Sequence, residues 1–175
     1  MSEFRRWKVA EINSAGGLHP FLFWLPNLAY SEYGSSHRSV RSEDLTCLSY
    51  VDGQFDLVIT SETLEHVPDI EAALREIRRV LRPGGFHIFT VPYVNGRNTR
   101  TRANIVDGVV RHAMTPSFHG ASGVEQPDML VFHEFGDDFS DFCRNVGFSV
   151  RLVVDPANPA VGTFIAQKTD LSTQA

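Results

Sequence analysis

The chain has 175 residues and a formal net charge of −5, with 42% hydrophobic and 21% charged residues. This length and composition indicate one domain with its own core. They exclude a disordered chain, a collagen-like chain and a protein with several membrane spans. Because the chain is acidic, it lacks the positive charge of a general DNA or RNA binder, and we expect no nucleic-acid partner.

The cysteines and the longest apolar stretch bear on localisation. Cys47 and Cys143 are far apart in sequence and form no metal-type pair, which is typical of reduced thiols in a cytoplasmic protein. The apolar stretch 18–30 contains two prolines and is too short to span a bilayer. We therefore expect neither a membrane segment nor secretion.

Short strands and helices alternate through the first half of the chain. The predicted strands cover residues 7–12, 27–30, 39–41, 55–60 and 86–91, and a short helix is predicted over residues 18–25. The clearest helix covers residues 70–81, where apolar side chains recur at helical spacing, Asp69 can cap the start and Pro83 follows the end. This alternation indicates an α/β fold with a parallel sheet.

The second half of the chain is less regular. A helix is predicted over residues 137–145, followed by strands over residues 148–154 and 161–167. No helix separates these two strands, which favours an antiparallel pair. No clear strand is visible between residues 92 and 134, and a further helix is predicted over residues 100–114.

A tight turn of small residues follows the first predicted strand, which carries the acid Glu11. Its sequence is Asn13-Ser14-Ala15-Gly16-Gly17, which suits a backbone that approaches a ligand closely at the carboxyl end of a strand. Asn13 and Ala15 stand where a complete glycine fingerprint has glycines. An ordinary strand-to-helix turn is therefore an equally good interpretation of this motif alone.

Polar residues also follow the next predicted strands. Glu32 comes about twenty residues after Glu11, where its two oxygens can accept hydrogen bonds from both hydroxyls of a ribose. Asp44 follows the third strand and can accept a hydrogen bond from an exocyclic amine. For either residue alone, a solvated surface acid is the commoner outcome. The fourth predicted strand is followed by a polar group of Ser61, Glu62, Glu65 and His66.

Two motifs resemble those of the class I S-adenosylmethionine-dependent methyltransferases, particularly their small-molecule branch with a type 11 domain. They are F-D-L-V-I-T-S-E-T-L-E-H-V-P-D at residues 55–69 and L-R-P-G-G-F-H-I-F-T-V-P at residues 81–92. The resemblance covers residues 9–92 and has a weaker continuation in F-H-G, E-F-G-D-D and V-G-F, which begin at residues 118, 134 and 146. It implies a Rossmann-like α/β fold with a mostly parallel sheet, helices on both faces and a C-terminal antiparallel hairpin.

The resemblance also implies S-adenosyl-L-methionine as the cofactor and a small molecule as the partner. The stretch between Glu32 and Asp44 is too short for the helix usually found there, and little helix precedes the first strand, so the N-terminal half is trimmed. By position, Glu11 would be the acid that opens the cofactor motif, and Asn13, Ser14, Ala15, Gly16 and Gly17 would be the degenerate glycine loop. Glu32 would be the ribose acid with Tyr33 as its neighbour, and Asp44 with Leu45 would contact the adenine. Ser61 and Glu62 would contact the methionine part.

The favoured acceptor is a hydroxyl, which needs a general base, and histidine suits this role because its pKa lies near neutrality. His66 follows the fourth predicted strand. His119 lies in the segment where the family has substrate-closing elements, so both are predicted catalytic residues. His112, His119 and His133 with Glu134 are irregularly spaced for ligands, and no metal site is expected.

Two other functions stay open at this point. The degenerate glycine loop is compatible with a catalytically weak or inactive methyltransferase-like domain that serves in binding or interaction. A dinucleotide reductase is disfavoured because G-x-G-x-x-G is missing. We expect a single methyltransferase-like domain over residues 1–168, with residues 93–133 as a substrate or lid segment and residues 169–175 as a flexible tail. The oligomeric state is left open.

Overall fold

The structure is a computed structural model that describes residues 4–119, 129–156 and 158–169. These residues form thirteen strands and three α-helices. The helices are α1 (His19–Leu22), α2 (Ile70–Val80) and α3 (Phe139–Asn145). In chain order the strands are β1 (Val9–Ile12), β2 (Leu28–Glu32), β3 (Arg41–Ser42), β4 (Phe55–Ser61), β5 (Leu81–Pro92), β6 (Arg100–Thr101), β7 (Ala103–Val106), β8 (Val109–His112), β9 (Phe118–His119), β10 (Met129–Leu130), β11 (His133–Glu134), β12 (Phe148–Asp155) and β13 (Asn158–Lys168).

Seven of these strands form one sheet in the order β12-β13-β5-β4-β1-β2-β3. The strands β1 to β5 run parallel to one another, and β13 runs antiparallel to both β5 and β12. The first strand lies in the middle of the five parallel strands, so the chain moves outward to β3 and then returns to β4 and β5. This arrangement confirms the predicted mostly parallel α/β sheet with a C-terminal antiparallel hairpin.

The two faces of the sheet are covered unequally. On one face, α2 and α3 bury their apolar stripes in the main core, where Leu74, Ile77 and Phe139 are fully buried. Asp69 caps α2 as predicted, because its side chain accepts a hydrogen bond from Ala72 N at 2.9 Å. On the other face, the one-turn helix α1 contributes Leu22 to a smaller cluster. Residues 33–40, between β2 and β3, form turns and bends without a helix, as their short length predicts.

The helix predicted over residues 100–114 is wrong. This stretch contains β6 and an antiparallel hairpin of β7 and β8. The hairpin turns at Asp107 and Gly108, whose φ angles are 52° and 74°. A turn with two positive φ angles matches the twist of paired strands, and the Asp-Gly pair is one of its strongest sequence signals. The interpretation of residues 92–134 as lacking strands is wrong for the same reason, since β6 to β11 lie within it.

Smaller differences concern the ends of elements. The helix α2 ends at Val80, and Pro83 and Gly84 lie inside β5, where the pairing with β4 shifts register. Of the face predicted for α3, Phe135, Phe139 and Cys143 are buried, Val146 is half-buried and Phe142 is 37% exposed. Of the predicted tail 169–175, residues after 169 lie outside the described residues, and so does the Gly120 of the F-H-G motif.

Candidate functional site

A cavity of about 380 Å³ opens at the carboxyl ends of the parallel strands. Such edges are where open α/β sheets bind ligands, and the volume suits a small molecule. His66, Val67 and Pro68 lie between its two walls. We call the side formed by strand ends and their following turns the parallel wall, and the side formed by the segment after β6 the antiparallel wall. The parallel wall consists of Ile12, Asn13, Tyr33, Glu43, Asp44, Leu45, Thr46 and Thr63, and the antiparallel wall of Ile105, Met129, Leu130 and Phe132.

Glu11 is hydrogen-bonded to the turn after β1 (residues 13–17, the β1 turn). Its side chain is fully buried. One carboxylate oxygen accepts a hydrogen bond from Ala15 N at 2.8 Å, and the other lies 2.8 Å from His19 Nδ1. Both carboxylate oxygens are thus occupied by the protein. The structure places Glu11 as a group that shapes the β1 turn rather than as part of the cavity lining.

The β1 turn accommodates its two departures from a glycine loop in different ways. Asn13 has a φ angle of 58°, a left-handed conformation that asparagine tolerates better than most residues. Its Oδ1 accepts a hydrogen bond from Tyr33 N at 2.8 Å, which ties the turn to the end of β2. Ala15 has a φ angle of −78°, so no glycine is needed there. The sequence of the turn is therefore compatible with its backbone.

The two glycines of the β1 turn leave its backbone open. A Cβ atom added at Gly16 or Gly17 would meet no other atom within 4 Å. Gly16 has a φ angle of 55°, whereas Gly17 needs no positive φ. An open backbone beside a cavity is what close approach of a ligand requires.

Glu32 ends β2 and faces the β1 turn. Its Oε1 accepts hydrogen bonds from Ser14 N at 3.1 Å and from the Tyr30 hydroxyl. Burial and the Glu32 carboxylate raise the pKa of Tyr30, so the phenol stays protonated and donates. Glu32 lies beside the cavity, where it holds two neighbouring strand ends together.

Two further acidic residues of the parallel wall, Glu43 and Asp44, follow β3. Asp44 lines the cavity, and its Oδ1 accepts hydrogen bonds from Thr46 N at 2.8 Å and Thr46 Oγ1 at 2.7 Å. Glu43, which reasoning from the sequence missed, is almost fully buried and accepts from Ser49 N and Arg41 Nε at 2.8 and 2.7 Å. Leu45 adds an apolar surface next to Asp44.

The end of β4 is polar and tightly bonded to β5. Ser61 Oγ lies 2.9 Å from Thr90 Oγ1, and Glu62 N donates to Thr90 O at 3.0 Å. Glu62 has a φ angle of 45°, an uncommon backbone conformation for glutamate. Burial raises the pKa of the Glu62 carboxyl above its ordinary value.

The structure brings the two predicted catalytic histidines together. His66 belongs to a short 3-10 helix (Leu64–His66) after β4, and His119 belongs to β9. Their ring centroids are 4.5 Å apart. His66 Nδ1 lies 2.9 Å from Leu130 O, so this nitrogen carries the proton and Nε2 has a free lone pair. Burial lowers the pKa of His66 below its ordinary value.

Glu65 lies between these histidines. Its Oε1 is 3.8 Å from the Nε2 atoms of both His66 and His119. The side chain is fully buried, and burial raises the pKa of its carboxyl to about 8. The sequence placed Glu65 in a polar group after β4 but did not identify it as a site residue. The adjacent Glu-His pair at the end of a buried strand was the available signal.

The predicted site residues fall into two groups. Those that line the cavity are Asn13, Tyr33, Asp44, Leu45 and His66. Those that lie beside it are Glu11, Ser14, Ala15, Gly16, Gly17, Glu32, Ser61, Glu62 and His119. The sequence named no individual residue of the antiparallel wall, and it also missed the lining residues Ile12, Glu43, Thr46, Thr63, Val67 and Pro68. That wall nevertheless belongs to the segment 93–133, which the sequence marked as the substrate region.

The histidine cluster considered from the sequence is dispersed. His133 Nε2 lies 3.3 Å from Pro68 O, and Glu134 forms ion pairs with Arg97 and Arg102. His112 is exposed on β8. Among residues 4–119, 129–156 and 158–169, no helix has the length and apolar character needed to cross a membrane.

Comparisons with known proteins find similarity to methyltransferases over part of the sequence. Residues 26–89 match the family model described as a methyltransferase domain. A segment of 43 residues is 56% identical to the sarcosine/dimethylglycine N-methyltransferase of Halorhodospira halochloris, covering 25% of this chain and 15% of that protein. The chain therefore aligns with only a small part of the first curated relatives, between 14% and 16% of their lengths.

Solved structures agree over nearly the whole chain. An S-adenosylmethionine-dependent methyltransferase from Mesorhizobium loti superposes with a TM-score of 0.60 and 15% identity, covering 93% of this chain and 91% of that one. The 1,6-didemethyltoxoflavin-N1-methyltransferase of Burkholderia thailandensis, solved with S-adenosylhomocysteine, gives a TM-score of 0.60 and 18% identity over 97% of this chain and 74% of that one. At these identities the likeness establishes the fold alone, and this fold agrees with the Rossmann-like fold expected from the sequence.

Proposed function

We propose that this chain, which has the fold of the class I S-adenosylmethionine-dependent methyltransferases, transfers a methyl group from S-adenosylmethionine to a hydroxyl of a small molecule. The observation that carries the proposal is the cavity at the carboxyl ends of β1 to β4, flanked by the open β1 turn and the acids Glu32 and Asp44. This combination suits a nucleoside ligand, because it offers close backbone approach and carboxylates for ribose and amine groups.

The parallel wall is the proposed cofactor side. The β1 turn would approach the cofactor closely, with Ser61 and Glu62 beside the methionine part, Glu32 on the ribose hydroxyls and Asp44 with Leu45 on the adenine. Glu32 has one oxygen engaged by Ser14 and Tyr30, which leaves the other available to a ligand among the described contacts. Bound S-adenosylmethionine supplies an electrophilic methyl group on a positively charged sulfur.

The antiparallel wall is the proposed acceptor side. Ile105, Met129, Leu130 and Phe132 present an apolar surface opposite the strand ends. An apolar acceptor held there in near-attack geometry reacts faster, since alignment alone can lower a barrier by about 7–11 kcal/mol. The partner is therefore proposed to be a small molecule with a substantial apolar part.

His66 is the proposed general base for the acceptor hydroxyl. Its Nδ1 donates to Leu130 O, and its Nε2 is free to accept a proton. Because burial lowers the pKa of His66, the imidazole is neutral at physiological pH and ready to act as a base. His119 lies against the same ring and is the alternative base.

Calorimetric titration with S-adenosylhomocysteine tests the cofactor assignment. We expect one equivalent to bind the folded protein, and we expect Glu32→Ala to weaken binding by at least about 1.5 kcal/mol through loss of charge-assisted hydrogen bonds. The matched control is Glu71→Ala on the exposed side of α2, which should keep the wild-type affinity. Folded protein that does not bind millimolar S-adenosylhomocysteine would refute the proposal.

A pH–rate profile tests the base. A panel of phenols and alcohols with labelled S-adenosylmethionine supplies an acceptor. The wild-type rate should fall only as the pH drops below about 6.5, because the lowered pKa keeps His66 unprotonated above that value. His66→Ala should lose roughly 10²–10⁴-fold in rate. Full rate with the same acid limb in this variant would eliminate His66, and the same experiment on His119→Ala addresses the alternative.

A further inference from the structure

We propose that Glu65, His66 and His119 form a binding site for one divalent transition-metal ion. The inference rests on the arrangement of these three side chains and does not require the methyl transfer proposed above. It departs from the expectation of no metal site, because the sequence considered a different set of histidines. The three ligands come from the 3-10 helix after β4 and from β9, which meet only in the folded chain.

The first observation is an unpartnered buried carboxylate. Glu65 has no exposed surface, and neither of its carboxylate oxygens has a hydrogen-bond partner among the described residues. Burying such a group without a partner is costly, and native proteins usually supply a hydrogen bond or a cation. Both nearby histidine nitrogens are 3.8 Å from Glu65 Oε1, which is too far for a hydrogen bond. A metal ion between these atoms would replace the carboxyl proton and compensate the charge of the carboxylate.

The second observation is the orientation of His66. Its Nδ1 donates to Leu130 O at 2.9 Å, so Nε2 carries the lone pair, and this atom lies 3.8 Å from Glu65 Oε1. Metal-binding histidines typically donate their other ring nitrogen to a carbonyl or carboxylate, which fixes the tautomer. His66 already has this arrangement.

The third observation is the distance between the donor atoms. One atom each of Glu65, His66 and His119 lie within 4.8 Å of one another. Two ligands of a tetrahedral ion bonded at about 2.1 Å are separated by about 3.4 Å. The two separations of 3.8 Å from Glu65 Oε1 need to close by only a few tenths of an ångström around an ion, and the separation between the two histidines, which is within 4.8 Å, by no more than about 1.4 Å.

The ligand set indicates which ions fit. Two imidazole nitrogens and one carboxylate oxygen suit Zn²⁺, Mn²⁺, Fe²⁺ or Co²⁺ better than Mg²⁺ or Ca²⁺, which prefer oxygen. Three protein ligands leave at least one coordination position free, as in catalytic metal sites. His66 also lines the cavity, so a hydroxyl at this position would border the proposed acceptor side. A bound ion would occupy His66 Nε2, so the ion, by lowering the pKa of the hydroxyl, would replace His66 as the group that promotes its deprotonation.

Titration of the full chain with Co²⁺, followed by visible absorption and by calorimetry, tests the site. We expect wild-type protein to bind one equivalent with the spectrum of nitrogen and oxygen ligands. Glu65→Gln, which keeps the side-chain size, and His119→Ala at the exposed end of the site should each weaken binding at least about 100-fold. The matched control is His112→Ala, an exposed histidine on β8, which should bind Co²⁺ as the wild type does.

Two outcomes would overturn the proposal. One is no stoichiometric Co²⁺ binding by the wild type, and the other is binding that Glu65→Gln and His119→Ala leave unchanged. If Glu65→Gln fails to fold, His119→Ala still decides, because that side chain is 44% exposed. Binding of S-adenosylhomocysteine is measured on the same samples. Protein that binds Co²⁺ but not S-adenosylhomocysteine contradicts only the methyltransferase proposal. Protein that binds S-adenosylhomocysteine but not Co²⁺ contradicts only the metal site.

Discussion

The two walls of the cavity are held in place by different means. The parallel wall follows strands such as β1, which is hydrogen-bonded to a strand on each side. The antiparallel wall rests on two-residue strand pairs and a few cross-links, among them Phe132 N to Glu65 O at 2.8 Å and Arg102 N to Phe132 O at 2.7 Å. The sheet thus fixes the proposed cofactor side, whereas local contacts fix the proposed acceptor side.

This difference indicates which of the two walls can change its residues with less effect on the fold. The strands β1, β2 and β4 are each paired on both sides, so a shift of one of them breaks two ladders, whereas the edge strand β3 is paired only with β2. The antiparallel wall has fewer hydrogen bonds to the sheet and can change its side chains with less effect on the core. Substitutions should therefore separate the two walls, and the following predictions do so from the largest expected effect to the smallest.

The largest effect is expected at Gly136, which anchors the antiparallel wall. A Cβ atom there would lie 2.0 Å from Arg97 O and 2.6 Å from the backbone carbon of Asn98. Gly136→Ala must therefore separate these backbone segments and break the bond from Asp137 N to Arg97 O, now 2.8 Å. We expect a loss of at least about 3 kcal/mol in the free energy of unfolding, measured in urea. An unchanged value would show that this contact does not anchor the wall.

The next largest effect is a pH dependence beneath the parallel wall. His87 on β5 is fully buried, its Nε2 lies 3.0 Å from Thr60 Oγ1, and burial lowers its pKa to about 3. Between pH 6.5 and 3 the unfolded chain binds a proton at this residue and the folded chain does not, so stability falls as the pH falls.

Comparison with His87→Gln isolates this effect from the titration of carboxylates. The variant keeps a polar side chain but has no group that titrates near neutrality. The unfolding free energy of the wild type should fall relative to that of the variant by about 3 kcal/mol from pH 7 to pH 4. Urea denaturation at pH 7, 5.5 and 4 measures the difference. If the unfolding free energies of the wild type and the variant fall equally with pH, then His87 is protonated in the folded protein.

The same contrast explains how much the sequence could predict. The strand at residues 55–61 and the helix at residues 70–80 were predicted because local propensity and tertiary packing agree there. The hairpin of β7 and β8 was missed although Asp107-Gly108 signals a turn, because its strands are mostly exposed and show no clear alternation of apolar and polar residues. Its position is set by contacts that no local pattern records.

The residues of the candidate site likewise divide into those that the sequence could predict and those that it could not. Asn13, Asp44 and Leu45 could be predicted because each follows a strand, and parallel strands end at one edge. The meeting of His119 with Glu65 could not be derived from spacing, since it depends on how β9 returns to the sheet. The burial of Glu65 was equally hidden, because an acid after a strand is usually solvated.

A smaller effect is expected at Asn13, where the parallel wall departs from a glycine loop. Asn13→Ala loses the acceptor for Tyr33 N and places alanine at a φ angle of 58°, so we expect a destabilisation of about 1–2 kcal/mol. Asn13→Gly loses the same hydrogen bond but suits the φ angle, and it should cost less. Thermal unfolding of both variants gives the comparison. Equal destabilisation would mean that the hydrogen bond, and not the backbone conformation, determines the residue at this position.

The smallest effect on stability, and the sharpest on function, is expected at Gly17. Its added Cβ meets no atom within 4 Å and its φ is not positive, so Gly17→Ala should change the unfolding free energy by less than about 0.5 kcal/mol. If the β1 turn approaches the ligand closely, the new methyl group must collide with S-adenosylhomocysteine and weaken its binding, measured by calorimetry. Gly17→Ala is thus the matched glycine control for Gly136→Ala, because it should leave the stability of the free protein unchanged and affect the parallel wall only through ligand binding. Unchanged affinity in a stable Gly17→Ala protein would place the ligand away from the β1 turn and would leave Asp44 and Leu45 as the principal contacts of the parallel wall.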